Sequence, residues 1–482
     1  MCAASTLGKG TVRREKPRIG LLLLTAEWFA QIGATGGSFA DLPRMLDEDA
    51  SKMEAALSAE LEVICPGVLA KPWQVDAAVE HFKQVDIDLI VACQITWGED
   101  RLILRAVEAL PATPLFLWCY APFRRLPDQL TMLDLFRGSG PVGALQASGP
   151  LKRLGKSFGF TFGSYEDEGA IRQIVAYAKA AKVARDLRGV RIGVLPYRCD
   201  QMTGTYVDEF RLKKEIGAEL AYISTYDYRT ICEQIPDEQV DAFVAELKAT
   251  YRITDNTTEA GLAAGARVSI GMAEVAKRYG LDAIAIEDVS KELHRMMGLR
   301  PCLYVPELFE RAVVSMEAEV GGAVALLMLR WLSGKAPMYT EVFAVDVEED
   351  CLLMGHAGIH DAVHLVDSKD DILIEPDGEY VESEPDSAWM RFRAKDGHVT
   401  LLSVFCDVER FKLAISSGQA IGGEPKLLGS PHAYVRLETP LAEFFEKTIR
   451  SGMTQHWALV HDDVVDRLLA LADIAGLDRI EV

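Results

Sequence analysis

Along the first two thirds of the chain, short runs of consecutive apolar residues alternate with segments of helical spacing. Ile19–Leu24 is apolar at every position, the pattern of a strand in a parallel sheet covered on both faces. Helical spacing over 49–60, with Met53, Ala56 and Leu57 apolar, leads to a strand at Leu61–Cys65 that stops at Pro66-Gly67. Helices near 75–84 and 100–110 precede strands at Leu89–Cys93 and Leu115–Cys119. Four β–α repeats of this kind predict an open parallel sheet. The rhythm resumes after a Gly- and Ser-rich stretch at 138–163. There, helices near 170–187 and 207–216 alternate with strands at Val190–Leu195, Leu220–Ile223 and Ala283–Ile286.

Beyond about Lys335 strand-like runs follow one another, with turn signals at 348–350, 376–378, 395–397 and 416–418. Asp396-Gly397, flanked by Trp389–Ala394 and Val399–Phe405, predicts a hairpin, and the region as a whole a barrel or sandwich. The end returns to helix near 441–450, strand at Trp457–Val460 and helix near 463–475. The expected class is α/β, with two Rossmann-like open parallel-sheet domains followed by a β-rich, barrel-like C-terminal domain. The expected boundaries are a flexible tail over 1–16, an N-terminal α/β domain over 17–163 and a central α/β domain over 164–334. The β-rich domain with terminal helices then covers 335–482.

Composition narrows the function. The 482 residues are 49 % hydrophobic and 26 % charged, which excludes a disordered, collagen-like or disulfide-scaffold chain. A net charge of −21 repels phosphate backbones and anionic membrane surfaces, so neither a nucleic-acid nor a membrane partner is expected. The apolar run at 321–329 stops at Arg330, too short to span a bilayer. Lys9, Arg13, Arg14 and Lys16 are followed by no apolar core with a small-residue cleavage site, so Ile19–Leu24 reads as a strand rather than a signal peptide. Nine cysteines without a Cys-x-x-Cys pair argue for reduced thiols and a cytoplasmic protein.

Seven of the nine histidines lie at or after His356: His356, His360, His364, His398, His432, His456 and His461. Imidazole is both a proton shuttle and a common metal ligand, yet the spacing carries no zinc signature. His360 and His364 are four apart, but Gly358 and the alternating pattern argue against a shared helix face. Glu317 and Glu319 precede an almost wholly apolar helix at 320–332, where the helix dipole accommodates negative charge; a capped first turn is the plain reading. Glu341 sits in the strand-like run 338–346, where a lone charge ordinarily faces solvent. Phosphate-loop and nucleophile-elbow motifs are absent from the sequence, and Gly33, Gly36 and Gly37 lie too far past the first strand for a dinucleotide fingerprint. The α/β units therefore read as scaffold. Gln94 and Trp97 fall at the carboxyl end of a predicted strand, where open α/β sheets place ligands, and are candidates for substrate binding. Spacing alone does not bring the acids and histidines of the last third together.

Four segments carry a resemblance. Met316-Glu317-Ala318-Glu319-Val320-Gly321-Gly322-Ala323 resembles the Cys-Glu-Gly-Asp or Ala-Glu-Gly-Asp signature of L-fucose and L-arabinose isomerases. Pro337-Met338-Tyr339-Thr340-Glu341 resembles the strand bearing that family's second acidic ligand, and Gly355-His356-Ala357-Gly358 its His-Cys-Gly or Gly-Ser-His segment. Gly452 to Asp462, containing Gln455-His456-Trp457, resembles its C-terminal histidine motif. The resemblance implies a divalent cation, usually Mn²⁺ with Mg²⁺ or Co²⁺ as alternatives, held by Glu317, Glu341 and His456 with His356 beside it. It further implies interconversion of an aldose and a ketose, in which Glu317 and Glu341 move protons between C1 and C2 through an ene-diol. A hydride shift is the rival route. A homo-oligomer with sites near subunit interfaces is also implied. Ala318-Glu319 replaces the family's Gly-Asp, Met316 its Cys, and Ala357 the Cys of His-Cys-Gly. Ala144–Gly149 lacks the histidine of the Asn-Gln-Ser-Ala-His-Gly segment that arabinose enzymes donate to a neighbouring subunit. These departures touch substrate recognition more than metal chemistry, which directs attention to a C6-modified or deoxy sugar. A metal-dependent dehydratase or epimerase of a sugar acid and a non-catalytic sugar-binding relative stay open beside this reading.

Overall fold

A computed structural model describes residues 16–34, 37–289, 291–297, 300–378 and 387–482. The flexible tail expected over 1–16 lies outside the described residues apart from Lys16. The chain forms two compact units, one of residues 16–186 with 466–475 and one of residues 187–465 with 476–482.

In the first unit, the apolar runs become the strands of a parallel sheet. Its strands are β1 (Arg18–Leu24), β2 (Glu62–Ile64), β3 (Val68–Leu69), β4 (Leu89–Gln94), β5 (Leu115–Tyr120) and β6 (Gly159–Gly163). Their order is β2-β1-β4-β5-β6, with β3 pairing the far end of β1. Strands β4 and β5 are buried at every residue and β1 from Ile19 onward, because apolar layers cover both faces. Phe82, Leu102, Ile103 and Leu151 from flanking helices join Leu22, Ile90 and Leu117 in one core. The Gly- and Ser-rich stretch is structured: it contains helix Gly140–Arg153 and edge strand β6. Gly140 lets that helix start hard against the sheet, since a Cβ there would lie 2.7 Å from the carbonyl oxygens of Gln94 and Tyr120.

The second unit holds the other parallel sheet and the β-rich region. Strands β7 (Arg191–Leu195), β8 (Glu219–Tyr222), β9 (Arg252–Ile253), β10 (Ala283–Ile286) and β11 (Val313–Ser315) come first. Of these, β11-β10-β7-β8 form a parallel sheet. The helix expected near 207–216 is a short turn, Glu209–Arg211, running into a wider one, Leu212–Ile216. Among the described residues nine more strands follow: β12 (Met338–Asp346), β13 (Cys351–Gly355), β14 (Leu373–Glu375), β15 (Trp389–Arg391), β16 (Gly397–Cys406), β17 (Phe411–Ala420), β18 (His432–Leu437), β19 (His456–Val460) and β20 (Asp478–Glu481). The pairings β16-β19-β12-β13-β18-β17 return to β16, so six antiparallel strands close on themselves, with β20 added parallel to β17. This closed sheet fits the barrel-like expectation and removes its own edges.

The expected hairpin does not form. Trp389–Arg391 pairs instead with β14, which also pairs β9, whereas β16 runs back against β17 from Gly397↔Ala420 to Cys406↔Phe411. The turn lies at 407–410, where the Asp407 carboxylate accepts the backbone N–H groups of Glu409 and Arg410. A side chain that bonds its own backbone two residues on makes a turn without any Gly signal. The turn signal at 416–418 falls inside β17, where Gly418 passes so close to Arg436 that a Cβ would meet its carbonyl oxygen at 2.3 Å.

Helix Val320–Ser333 is buried along almost its whole length and packs against β11, β16 and β19. Gly321 is what lets it close on β16: a Cβ would sit 2.0 Å from the carbonyl oxygen of Val404. Gly321→Ala is therefore expected to destabilise the protein by roughly 1–3 kcal/mol through forced separation of helix and strand. A denaturant midpoint equal to that of the parent protein would refute this contact.

Candidate metal centre

Four stretches of the second unit deliver the side chains. Glu317 follows β11 in the turn leading into helix Val320–Ser333, and Glu319 is that helix's first flanking residue. Glu341 lies in β12 directly opposite His456 of β19 on one side and Gly355 of β13 on the other. His356 comes immediately after β13. The closed sheet thus brings residues more than a hundred positions apart into register, which no local period encodes.

Glu317, His356 and His456 each offer a ligand atom, all within 4.8 Å of one another, and all three residues are buried. Nε2 of His456 lies 2.8 Å from Glu317 Oε2, and Nε2 of His356 lies 3.7 Å from Glu317 Oε1. Neither imidazole Nε2 makes a hydrogen bond among the described residues, so the close approach to Glu317 is out of line for one. Nδ1 of His356 lies 2.7 Å from the carbonyl of Ala357; only an N–H can bond there, so Nδ1 carries the proton and Nε2 presents a lone pair to the centre. Two buried imidazole Nε2 atoms without an aligned hydrogen bond, converging on one carboxylate, form a donor set that suits a divalent cation. Glu341 stands slightly apart, with Oε2 4.0 Å from Nε2 of His456, and its side chain is 31 % exposed against 10 % for Glu317.

Glu319 does not cap its helix; its side chain accepts no bond from the first turn. It reaches Nδ1 of His456 at 2.9 Å instead and accepts a hydrogen bond from Tyr339 Oη at 2.7 Å. A carboxylate behind a ligand imidazole orients the ring and raises its basicity. Burial works against charge on His456, but Glu319 and Glu317 outweigh it and push the imidazole up to about 10. Glu319 is likewise held below the usual carboxylate range, burial opposing and His456 prevailing. A cation at this centre competes with that proton for the same lone pair. His356, by contrast, is driven well down, by burial first and by His456 next, and stays neutral.

The structure thus groups Glu317, Glu341, His356 and His456. Sequence reasoning missed Glu319 as the partner of His456, because a carboxylate before a helix reads as a cap. It also missed Tyr339, two residues before Glu341 on the same face of β12, and Gln455, whose Nε2 donates to Glu317 Oε2 at 3.4 Å. His360 is buried and bonds the carbonyl of His356 at 2.8 Å, whereas His364 is exposed in helix Ala362–Leu365 and pairs with Asp361. Gln94 and Trp97 belong to the first unit. Gln94 ends β4 fully buried, and neither side-chain amide atom finds a hydrogen-bond partner among the described residues. Trp97 Nε1 donates to Gln146 Oε1 at 2.9 Å, and its ring lies 6.2 Å from Trp28 and 6.1 Å from Phe29.

No family model matches the chain. Among solved structures, a periplasmic ABC-transporter solute-binding protein from Actinobacillus succinogenes with bound D-allose aligns with 57 % of this chain and 79 % of its own, at 14 % identity. Its TM-score of 0.15 bears no structural weight. Among curated proteins, the chain is 22 % identical over 422 residues to a sulfoquinovose isomerase of Alkalicoccus urumqiensis, covering 86 % of this chain and 90 % of that one. It is 22 % identical over 425 residues to the sulfoquinovose isomerase of Priestia megaterium, covering 86 % and 91 %. A sulfoquinovose isomerase of a Clostridium species matches over 348 residues at 21 % identity. Over most of its length, then, this chain is similar to sugar isomerases.

Proposed function

We propose that the protein is an aldose–ketose isomerase acting on a C6-modified sugar, with Glu317, Glu341, His356 and His456 as its reaction centre. The observation that carries the reading is the convergence of Glu317, His356 and His456 within 4.8 Å, with Glu341 alongside. The relatives named as sulfoquinovose isomerases support the substrate class, since sulfoquinovose is an aldohexose bearing a sulfonate at C6.

The donor set of one or two carboxylates and two imidazoles suits Mn²⁺, with Mg²⁺ or Co²⁺ as alternatives. Glu317, His356 and His456, with Glu341 completing the set, would hold such a cation, whose Lewis acidity would polarise a sugar carbonyl and acidify the neighbouring C–H. The chain's own groups do the proton work. Glu317, from the turn after β11, and Glu341, from β12, face the same imidazole, so one carboxylate can take the proton from C2 while the other delivers one to C1, through an ene-diol. His456, with Glu319 at its Nδ1, lies between the two carboxylates, 2.8 Å from Glu317 Oε2 and 4.0 Å from Glu341 Oε2. Burial of Glu317 excludes water, while the more exposed Glu341 lies toward the side from which a substrate enters.

The test is ketose formation from a panel of aldoses, sulfoquinovose included, by protein stripped with a chelator and then resupplied with Mn²⁺, Mg²⁺ or Co²⁺. The expected result is turnover of a C6-modified aldose that is lost on stripping and restored by an ion. Sugar binding of equal affinity with and without metal, and no ketose from any aldose, would replace this reading with a sugar-binding one.

A further inference from the structure

The turn that presents Glu317 is made of two consecutive L-residues in the left-handed region, Glu317 at φ 59° and Ala318 at φ 54°. Residues with a Cβ rarely occupy that region, and persist there only where surrounding groups fix them. Two contacts do the fixing. The Ala318 N–H donates to the carbonyl of Ile286 at 2.8 Å, and the Glu317 N–H donates to Oδ1 of Asp288 at 3.0 Å. The first is main chain to main chain; the second depends on a side chain.

Asp288 is itself held. Its Oδ2 lies 3.4 Å from Nη1 of Arg300, and Arg300 grips Asp377 with two bonds, Nε to Oδ2 at 2.8 Å and Nη2 to Oδ1 at 3.1 Å. The Asp377 N–H donates to Ser387 Oγ at 2.8 Å. All three charged side chains are almost wholly buried. Buried ion pairs contribute little net stability against apolar packing of the same shape; what they supply is a fixed geometry. None of the three is needed for the cation site or the proton transfers set out above.

We infer that Asp288 is a positioning residue: clamped by Arg300, its carboxylate fixes the left-handed turn and so aims the Glu317 carboxylate at His356 and His456. The inference rests on the proposed metal centre and adds to it the group that sets its geometry. Without the bond to Asp288, the Glu317 N–H is a buried donor lacking its acceptor, and the turn relaxes toward ordinary backbone angles. Glu317 then swings away from the two imidazoles.

The test is calorimetric titration of the full chain, chelator-stripped, with Mn²⁺. Asp288→Asn keeps an acceptor oxygen toward the Glu317 N–H, and Asp288→Ala removes it. The Mn²⁺ dissociation constant is expected to rise about tenfold or more in Asp288→Ala, as for other groups that orient metal ligands, and to stay within about threefold in Asp288→Asn. A merely structural role would lower the melting temperature of the stripped variants and leave the dissociation constant alone. Asp288→Ala that binds Mn²⁺ like the parent protein overturns the inference, and so does an equal loss in both variants. Should Asp288→Ala not fold, Asp288→Ser, whose hydroxyl is too short to reach the turn, takes its place in the same comparison. Parent protein that binds no Mn²⁺ overturns the metal centre itself, a result distinct from parent and variants binding alike.

Discussion

Glu317→Gln is expected to lower ketose formation by roughly a thousandfold or more and to weaken Mn²⁺ binding in the same variant, since a positioned carboxylate contributes about 10²–10⁴ as a proton carrier alone. The expectation follows from the two tasks that converge on one side chain. Oε2 faces Nε2 of His456 at 2.8 Å and Oε1 faces Nε2 of His356 at 3.7 Å, so both oxygens belong to the same centre. An amide keeps the volume and the backbone but loses the negative charge, one of its two acceptors and the ability to carry a proton. The fold should tolerate the change: Gln455 already donates to this carboxylate, and glutamine keeps the backbone N–H groups that bond Asp288 and Ile286 and set the turn. The discriminating measurement pairs a ketose assay with calorimetric Mn²⁺ binding. Turnover and affinity both within about threefold of the parent protein would remove Glu317 from the centre.

The paired loss also separates a metal centre from a plain buried ion pair. In an ion pair, removing the carboxylate from beside His456 strands a buried charge and lowers stability. Glu319 remains 2.9 Å from Nδ1 of the same ring, so His456 keeps a partner, and the main effect falls on chemistry.

Much of the scaffold was legible along the chain. Ile19–Leu24, Leu89–Cys93 and Leu115–Cys119 announce central parallel strands because residues buried on both faces must all be apolar, and they form β1, β4 and β5. The turn at Asp407 was not legible, since a carboxylate bonding its own backbone leaves no glycine or proline signature. The site was legible only in part. Glu317, Glu341, His356 and His456 stand out through a resemblance of short motifs, while their meeting depends on the pairing of β12 with β13 and β19, a long-range register that spacing does not record. Glu319 was hidden by its position: before a helix a carboxylate is expected at the N-terminus for the dipole alone. Asp288 and Arg300 carry no motif at all; only the left-handed backbone at Glu317 and Ala318 reveals what they hold.

Glu341→Gln should behave differently from Glu317→Gln, with turnover falling by about 10²–10⁴ but Mn²⁺ affinity by about tenfold at most. Glu341 lies outside the tight set formed by Glu317, His356 and His456, its nearer oxygen 4.0 Å from His456. It is also the more open of the two acids. The pairing of β12 with β13 shifts register between Val342 and Ala344, immediately past Glu341, and an irregularity of this kind re-aims the side chains beside it. A carboxylate on such a strand, facing the centre with a third of its surface accessible, is placed to meet substrate while adding a looser hold on the ion than Glu317 provides. The loss should therefore fall on kcat, with KM for the sugar little changed. Isomerisation in deuterated water adds a second readout. If Glu341 takes the proton from C2 or delivers the one to C1, the parent protein incorporates solvent deuterium into the product and Glu341→Gln loses incorporation in step with turnover. Parent protein that isomerises without taking up any deuterium would favour a hydride shift, and would leave Glu341 a role in orienting the sugar instead of moving its proton.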